Sequence, residues 1–238
     1  MRAVRYLLEA KAAFLWANEA NQDVFGSLLS NLCRAGGTLE PLELLAEWRP
    51  PARSWRLLEG LPRHGWDTEG WRLTHWEAQA LLGYCRAIHR QFDLVDVDAF
   101  GCWPHLSDAL ETVRSGGFLY LTATGLSSWK PTRSLRVLGV RFGRCPPLET
   151  LLDHMCRALI WHVAAKADGL GLVAEPLFTI YRGQGDVYRC LFRVTRRFGE
   201  SQLVPQSVGL CRACNSFVGP VEEQMVLSPL LASGRCGE

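Results

Sequence analysis

The sequence predicts an α/β fold with a largely parallel sheet, and three observations predict it. Strand-like and helix-like segments alternate through most of the 238 residues. Several strand-like segments are continuous apolar runs, as strands covered on both faces require. Acidic residues stand at or just past three successive strand ends, where ligands bind in open parallel sheets.

The first element, residues 3–10, reads as a helix with no strand before it. Residues 13–17, Ala-Phe-Leu-Trp-Ala, form a short apolar run suited to a buried strand. Residues 21–34 are amphipathic, with Val24, Leu28, Leu29 and Leu32 on one side, and Gly36-Gly37 stops them. Residues 38–70 are rich in Trp, Pro and Arg, show no period, and are expected to be an inserted loop with one short helix. A weak strand at 71–74 precedes a helix over 76–90, a buried strand at 92–97 and a helix at 107–114. Gly116-Gly117 is expected to turn the chain into a strand at 118–123. A long helix over 148–167 leads to two strands, 172–181 and 187–196, which resemble an antiparallel hairpin. The domain boundary is expected near residue 145, with 1–145 as the larger domain and 146–238 as a smaller α+β one.

Composition narrows the class. Apolar residues make up 48% and charged residues 21%, which is ordinary for a globular protein. The net charge of +2 is too small to imply nucleic-acid binding by itself, but Lys occurs only at Lys11, Lys130 and Lys166 among 26 basic residues. The rest are Arg, whose planar guanidinium suits phosphate and base stacking; a GC-rich genome would also enrich it. Nine cysteines at irregular spacing do not form a disulfide framework, which points to a reducing, intracellular home. The opening residues lack a signal-peptide pattern. No segment nears the roughly 20 apolar residues of a membrane span, so no membrane partner is expected.

The chemistry concentrates at the strand ends. Glu19 lies past the first strand, Glu77 past the strand at 71–74, and Asp98 closes the strand at 92–97. An acid after the second strand of a Rossmann-like sheet accepts hydrogen bonds from ribose hydroxyls. Both Glu19 and Glu77 also precede helices, where acids serve as caps. Asp98-Ala99-Phe100-Gly101 is the sharper feature. An exocyclic amine of a nucleobase is a poor nucleophile because its lone pair is delocalised into the ring. The Asp98 carboxylate and a backbone carbonyl beside it can accept its two N–H bonds, and Phe100 can stack on the base. A plain strand-to-helix turn with Phe100 in the core is the alternative. Trp103, close by, is a second candidate for base stacking. Cys211-Arg212-Ala213-Cys214 can supply two thiolates to zinc, but a structural site needs four ligands. His75, His105 and His154 form no ligand spacing and are expected to be structural. Arg189, Arg193, Arg196 and Arg197 crowd one hairpin strand, and Arg133, Arg136, Arg141 and Arg144 the segment after residue 124, where either set could meet phosphates.

Together these segments resemble the tRNA guanine-26 N2-dimethyltransferases. The resemblance rests on residues 3–6, Ala17-Asn18-Glu19, Glu77-Ala78, residues 92–101, Ser115-Gly116-Gly117, Leu121-Thr122-Ala123-Thr124 and residues 187–194, in order and spacing. It implies a Rossmann-like methyltransferase domain, S-adenosylmethionine (SAM) as methyl donor and N2 of a tRNA guanosine as acceptor. It implies that Arg2 lies near the methionine end of SAM, that Glu19 takes the place of a ribose-binding Asp, and that Glu77 and Ala78 meet the adenine. Asp98 then matches the catalytic Asp, Ala99 and Phe100 sit against the base, and Thr122 and Thr124 line the substrate side. Ala99 replaces a Pro of the family motif, Gly125 an Asp, and Leu152-Asp153-His154 a Gly-x-Arg. The family's first strand and glycine-rich loop are expected upstream of Arg2, which reads as truncation. Eukaryotic members carry a second Cys pair, so Cys211 and Cys214 would be half of a zinc site. A catalytically inactive tRNA-binding paralogue is the alternative function, and a SAM enzyme acting on another amine is the third. No protein partner is implied, and nucleus, cytosol and organelles all remain open as compartments.

Overall fold

The computed structural model describes residues 2–36, 40–41, 65–98, 103–124, 148–182, 187–200, 208–210 and 217–220. The chain divides into two compact units. One comprises Met1–Phe92 and Trp103–Thr112, and the other Asp93–Cys102 and Val113–Glu238.

The first unit holds α1 (Arg2–Leu8), β1 (Leu15–Asn18), α2 (Gln22–Arg34), β2 (Glu40–Pro41), β3 (Gly65–Asp67), β4 (Trp71–Thr74), α3 (Ala78–Ala87) and α4 (Leu106–Thr112). Its sheet runs β1-β4-β3-β2. β1 and β4 are parallel, with Leu15 opposite Trp71 and Asn18 opposite Thr74. Two clusters cover this pair. Ala17, Trp71 and Leu73 bury with Phe25 and Leu32 of α2, against which Ala3, Val4 and Leu7 of α1 pack. Trp76 buries with Ala80, Leu81, Tyr84 and Cys85 of α3, and Trp16 and Phe92 pack on them. Asn21 caps α2, its side chain accepting the Asp23 N–H at 2.9 Å. Across α3 and α4, Arg86 bonds Asp108 at 2.8 Å and Glu111 at 3.0 Å.

The expected insertion at 38–70 differs from its reading. Residues 40–41 and 65–67 are strands that pair antiparallel with each other, and 65–67 also pairs antiparallel with β4, so they widen the sheet. Two and three residues are too short to show a period, so the sequence hid them. Thr68 closes the β3–β4 loop, its Oγ1 accepting from Trp71 N and donating to Trp71 O, both at 2.8 Å. Residues 42–64, with the expected helix, fall outside the described residues.

The second unit holds β5 (Phe92–Val97), β6 (Val113–Thr124), α5 (Leu148–Gly169), β7 (Leu172–Arg182) and β8 (Val187–Arg196), in a sheet ordered β5-β6-β8-β7. β6–β8 and β8–β7 are antiparallel ladders, with a bulge between Pro176 and Phe178. One face of this sheet is core: Leu119, Leu121, Ala123, Tyr188, Cys190, Phe192 and Val194 are buried, as are Leu159, Val163 and Ala167 of α5. Gly171, at φ +70, makes the turn from α5 into β7. A small antiparallel pair, β9 (Val208–Leu210) and β10 (Phe217–Pro220), completes the described strands. The sheets are therefore mixed, not largely parallel.

Gly116-Gly117 is not the start of β6. The strand begins at Val113, and a Cβ on Gly117 would stand 2.9 Å from the Asp93 carbonyl oxygen. The glycine permits a close backbone approach within the strand, not a turn before it. Among the described residues no helix is long and apolar enough to cross a membrane.

Candidate active site

The first unit brings two of the three acids to one edge of its sheet. β1 and β4 are parallel neighbours, so Glu19 and the segment His75-Trp76-Glu77 leave the sheet side by side. The two exits are tied together. Glu19 N donates to Thr74 O at 3.2 Å, and His75 Nδ1 donates to the Glu19 carbonyl at 2.6 Å. Asn18 makes the larger set of bonds. Its Nδ2 donates to Trp76 O at 2.8 Å, and its Oδ1 accepts from Trp76 N at 3.1 Å and from the Thr74 hydroxyl at 2.8 Å. These bonds hold Trp76 and Glu77 extended, which is why α3 starts at Ala78 and not at residue 76. His75 also lies against the buried Phe25 ring, centroids 4.6 Å apart.

The carboxylates themselves are differently committed. One oxygen of Glu19 accepts the Asn21 N–H at 2.8 Å, and the other has no partner among the described residues. Glu77 is the N-cap of α3 by backbone position, yet its side chain makes no capping bond and is exposed. Capping thus accounts for neither acid fully. Carboxylate oxygens are therefore left over at this edge. Ala78 begins α3 beside Glu77, and Arg2 begins α1 in the same unit. His105, also in this unit, is held below the ordinary histidine range by burial, while Asp108 and Glu77 pull the other way. Its enclosed Nδ1 has no partner among the described residues.

In the second unit Asp98 follows the last residue of β5 and is exposed. β6 is the neighbour of β5 in the sheet, and a 3-10 turn at Trp103–His105 and α4 lie between them in the chain. Thr122 and Thr124 lie at the end of β6, opposite Arg189 and Val187. Thr122 is buried and Thr124 half-buried. Ala99 and Phe100 fall outside the described residues, as do Cys211, Cys214 and Arg133 to Arg144, and the Trp103 side chain is not described either. Among the described residues no group of three His, Cys, Asp or Glu is placed to hold a metal ion.

The sequence reading gave no role to Asn18, although it quoted the residue. The available signal was an amide at the last position of a short strand, where the polar groups of the neighbouring strand end are its partners.

Comparison with known proteins gives a consistent picture. The sequence model of N2,N2-dimethylguanosine tRNA methyltransferases matches residues 67–230. A tRNA (guanine(26)-N(2))-dimethyltransferase of Thermoplasma acidophilum is 31% identical over 137 residues, 57% of this chain and 39% of the relative. The enzyme of the same name from Thermoplasma volcanium is 28% identical over 127 residues, 52% of this chain and 36% of the relative. The chain thus spans about two-fifths of the length of these curated relatives. Among solved structures, Trm1 from Pyrococcus horikoshii, determined with S-adenosyl-L-methionine, is similar with a TM-score of 0.61 and 22% identity, over 82% of this chain and 47% of that one. That likeness establishes the fold, an α/β methyltransferase type with mixed strands.

Proposed function

Because the chain belongs to the N2,N2-dimethylguanosine tRNA methyltransferase family, we propose that it serves methyl transfer from SAM to the exocyclic N2 of a guanosine in tRNA. The observation that carries the reading is the edge formed by Glu19 and Glu77. Asn18 and His75 lock two strand ends together there, and carboxylate oxygens remain uncommitted to helix capping.

When bound, SAM supplies a methyl group on a sulfonium that an amine can displace. Glu19 would accept from the ribose hydroxyls with the oxygen that Asn21 does not use, and Glu77, past the neighbouring strand, would take the adenine side. His75 keeps the Glu19 backbone in place by its bond to the carbonyl. Asp98 accepts an N–H of the guanine amine, which localises the nitrogen lone pair, and takes up the proton the amine releases. Thr122 and Thr124, at the end of the neighbouring strand, line the guanosine side. Orientation of the amine provides most of the acceleration.

The test is mass spectrometry of nucleosides from a tRNA transcript incubated with the protein and SAM, beside equilibrium dialysis with labelled SAM. N2-methylguanosine is expected from the wild-type protein, and Asp98→Asn is expected to lower its formation by about 100-fold or more while leaving SAM binding within about twofold. tRNA binding with no SAM binding would return the chain to the non-catalytic reading. Full activity in Asp98→Asn would remove Asp98 from the reaction.

A further inference from the structure

The face of the β6–β8–β7 sheet opposite α5 is unlike the buried one. The ladder registers, with the bulge before Phe178 taken into account, put Phe118, Tyr120, Thr122 and Thr124 of β6 on it, with Arg189, Leu191 and Arg193 of β8 and Val173, Glu175, Phe178 and Ile180 of β7. The ring contacts agree: Tyr120 meets Phe178 at 6.4 Å, and the Arg193 guanidinium lies 5.9 Å from the Phe118 centroid. Phe178 is 44% exposed and Ile180 52% exposed. An apolar strip this open marks a binding surface.

Charge decides what binds. The row Tyr120–Leu191–Phe178 is bracketed by Arg193 on one side and Arg189 on the other, each two residues along β8. The two cations therefore stand about 13 Å apart with the aromatic row between them. Neither is ion-paired among the described residues, although Glu175 lies opposite Arg193 in register, and the enclosed Nε of Arg189 has no hydrogen-bond partner. Cations alternating with aromatic rings are the pattern that binds unstacked bases and their phosphates. Arg189 is also the cross-strand neighbour of Thr122, so the strip runs into the end of β6 that carries the candidate substrate threonines.

We propose that this face binds single-stranded or loop RNA, with bases stacked on Tyr120 and Phe178 and phosphates held by Arg189 and Arg193. The proposal rests on the tRNA reading above and extends it to a surface beyond the reacting guanosine.

Fluorescence anisotropy of a labelled tRNA transcript, measured across a salt series, tests it on the full chain. Phe178→Ala is expected to weaken binding by about tenfold with the salt slope unchanged. Arg193→Ala is expected to weaken binding and to reduce the slope by about one. Both positions are exposed, so thermal unfolding should match wild type and a folding defect can be recognised. Wild-type affinity in both variants overturns the surface while leaving the methyltransferase reading intact. A wild-type chain that binds no tRNA overturns both. Concentration-dependent self-association, seen by sedimentation and abolished by Phe178→Ala, assigns the face to a second copy and overturns the RNA proposal.

Discussion

The sheet of the first unit and the sheet of the second differ in strand length, in pairing and in what they carry. β1 and β4 have four residues each and run parallel. β6, β7 and β8 have 12, 11 and 10 residues and run antiparallel. The short pair gains little from its ladder, so the ends of its strands are secured by side chains: Asn18, His75 and the Thr74 hydroxyl. The long ladder closes through its own backbone bonds and a continuous buried face. Short strands expose their ends, and the candidate cofactor acids stand there. Long strands expose a face, and the candidate RNA surface lies on it.

The largest effect should come from the centre of the ladder. Phe192 is wholly buried, opposite Leu119 in the ladder. Phe192→Ala removes most of a ring and leaves a cavity, so it should cost about 3–5 kcal/mol in urea unfolding. A cost under about 1 kcal/mol would mean the ladder is not what holds the second unit.

The counterpart in the first unit is polar. Asn18→Ala strips the partner from Trp76 N and Trp76 O in a half-buried setting, although the Thr74 hydroxyl keeps an alternative in Ala17 O at 3.4 Å. About 2–3 kcal/mol should be lost. Because the same bonds fix the segment before Glu77, SAM affinity should fall with stability in this variant and not in Phe192→Ala. Equal loss of affinity in both would erase the distinction between the two sheets.

Much of this architecture was readable from residues. β4, β5 and β8 coincide with the strands expected at 71–74, 92–97 and 187–196, although the signal at 71–74 was weak. α2 coincides too, with Asn21 as its cap. The unread parts share a physical cause. β2 and β3 are shorter than any period, the start of α3 is displaced by tertiary bonds from Asn18, and Gly117 answers to the Asp93 backbone from a different strand. Each is settled by a partner distant in sequence. At the site, the acids could be picked out as strand-end residues, but whether a carboxylate is free or spent on a cap depends on the local turn.

Among the described residues each unit buries one thiol that reports on its packing. Burial pushes Cys85 up to about 12 and Cys190 up to about 11, from 9.0 in an exposed thiol. The unfolded thiols ionise first as pH rises, so stability is whole below pH 9 and falls as the pH climbs through the folded values. Each thiol should cost about 1.4 kcal/mol by pH 10. Cys85→Ala should flatten the loss from the first unit and Cys190→Ala that from the second, and an unchanged slope in either would show that the thiol is not enclosed.

The smallest effect on stability should be the most informative about function. Glu77 is exposed, makes no capping bond and sits where α3 begins. Glu77→Gln keeps its size and removes only its charge, so unfolding should move by less than about 0.5 kcal/mol. If the carboxylate serves the nucleoside, SAM affinity should fall by about tenfold, since a hydrogen bond to a charged acceptor is worth more than one to a neutral acceptor. Glu19→Gln should behave similarly in binding, yet it retains an acceptor for the Asn21 N–H. A Glu77 variant that is less stable but binds SAM normally would make the acid a helix-terminus charge after all, and the edge formed by β1 and β4 would then be structure rather than site.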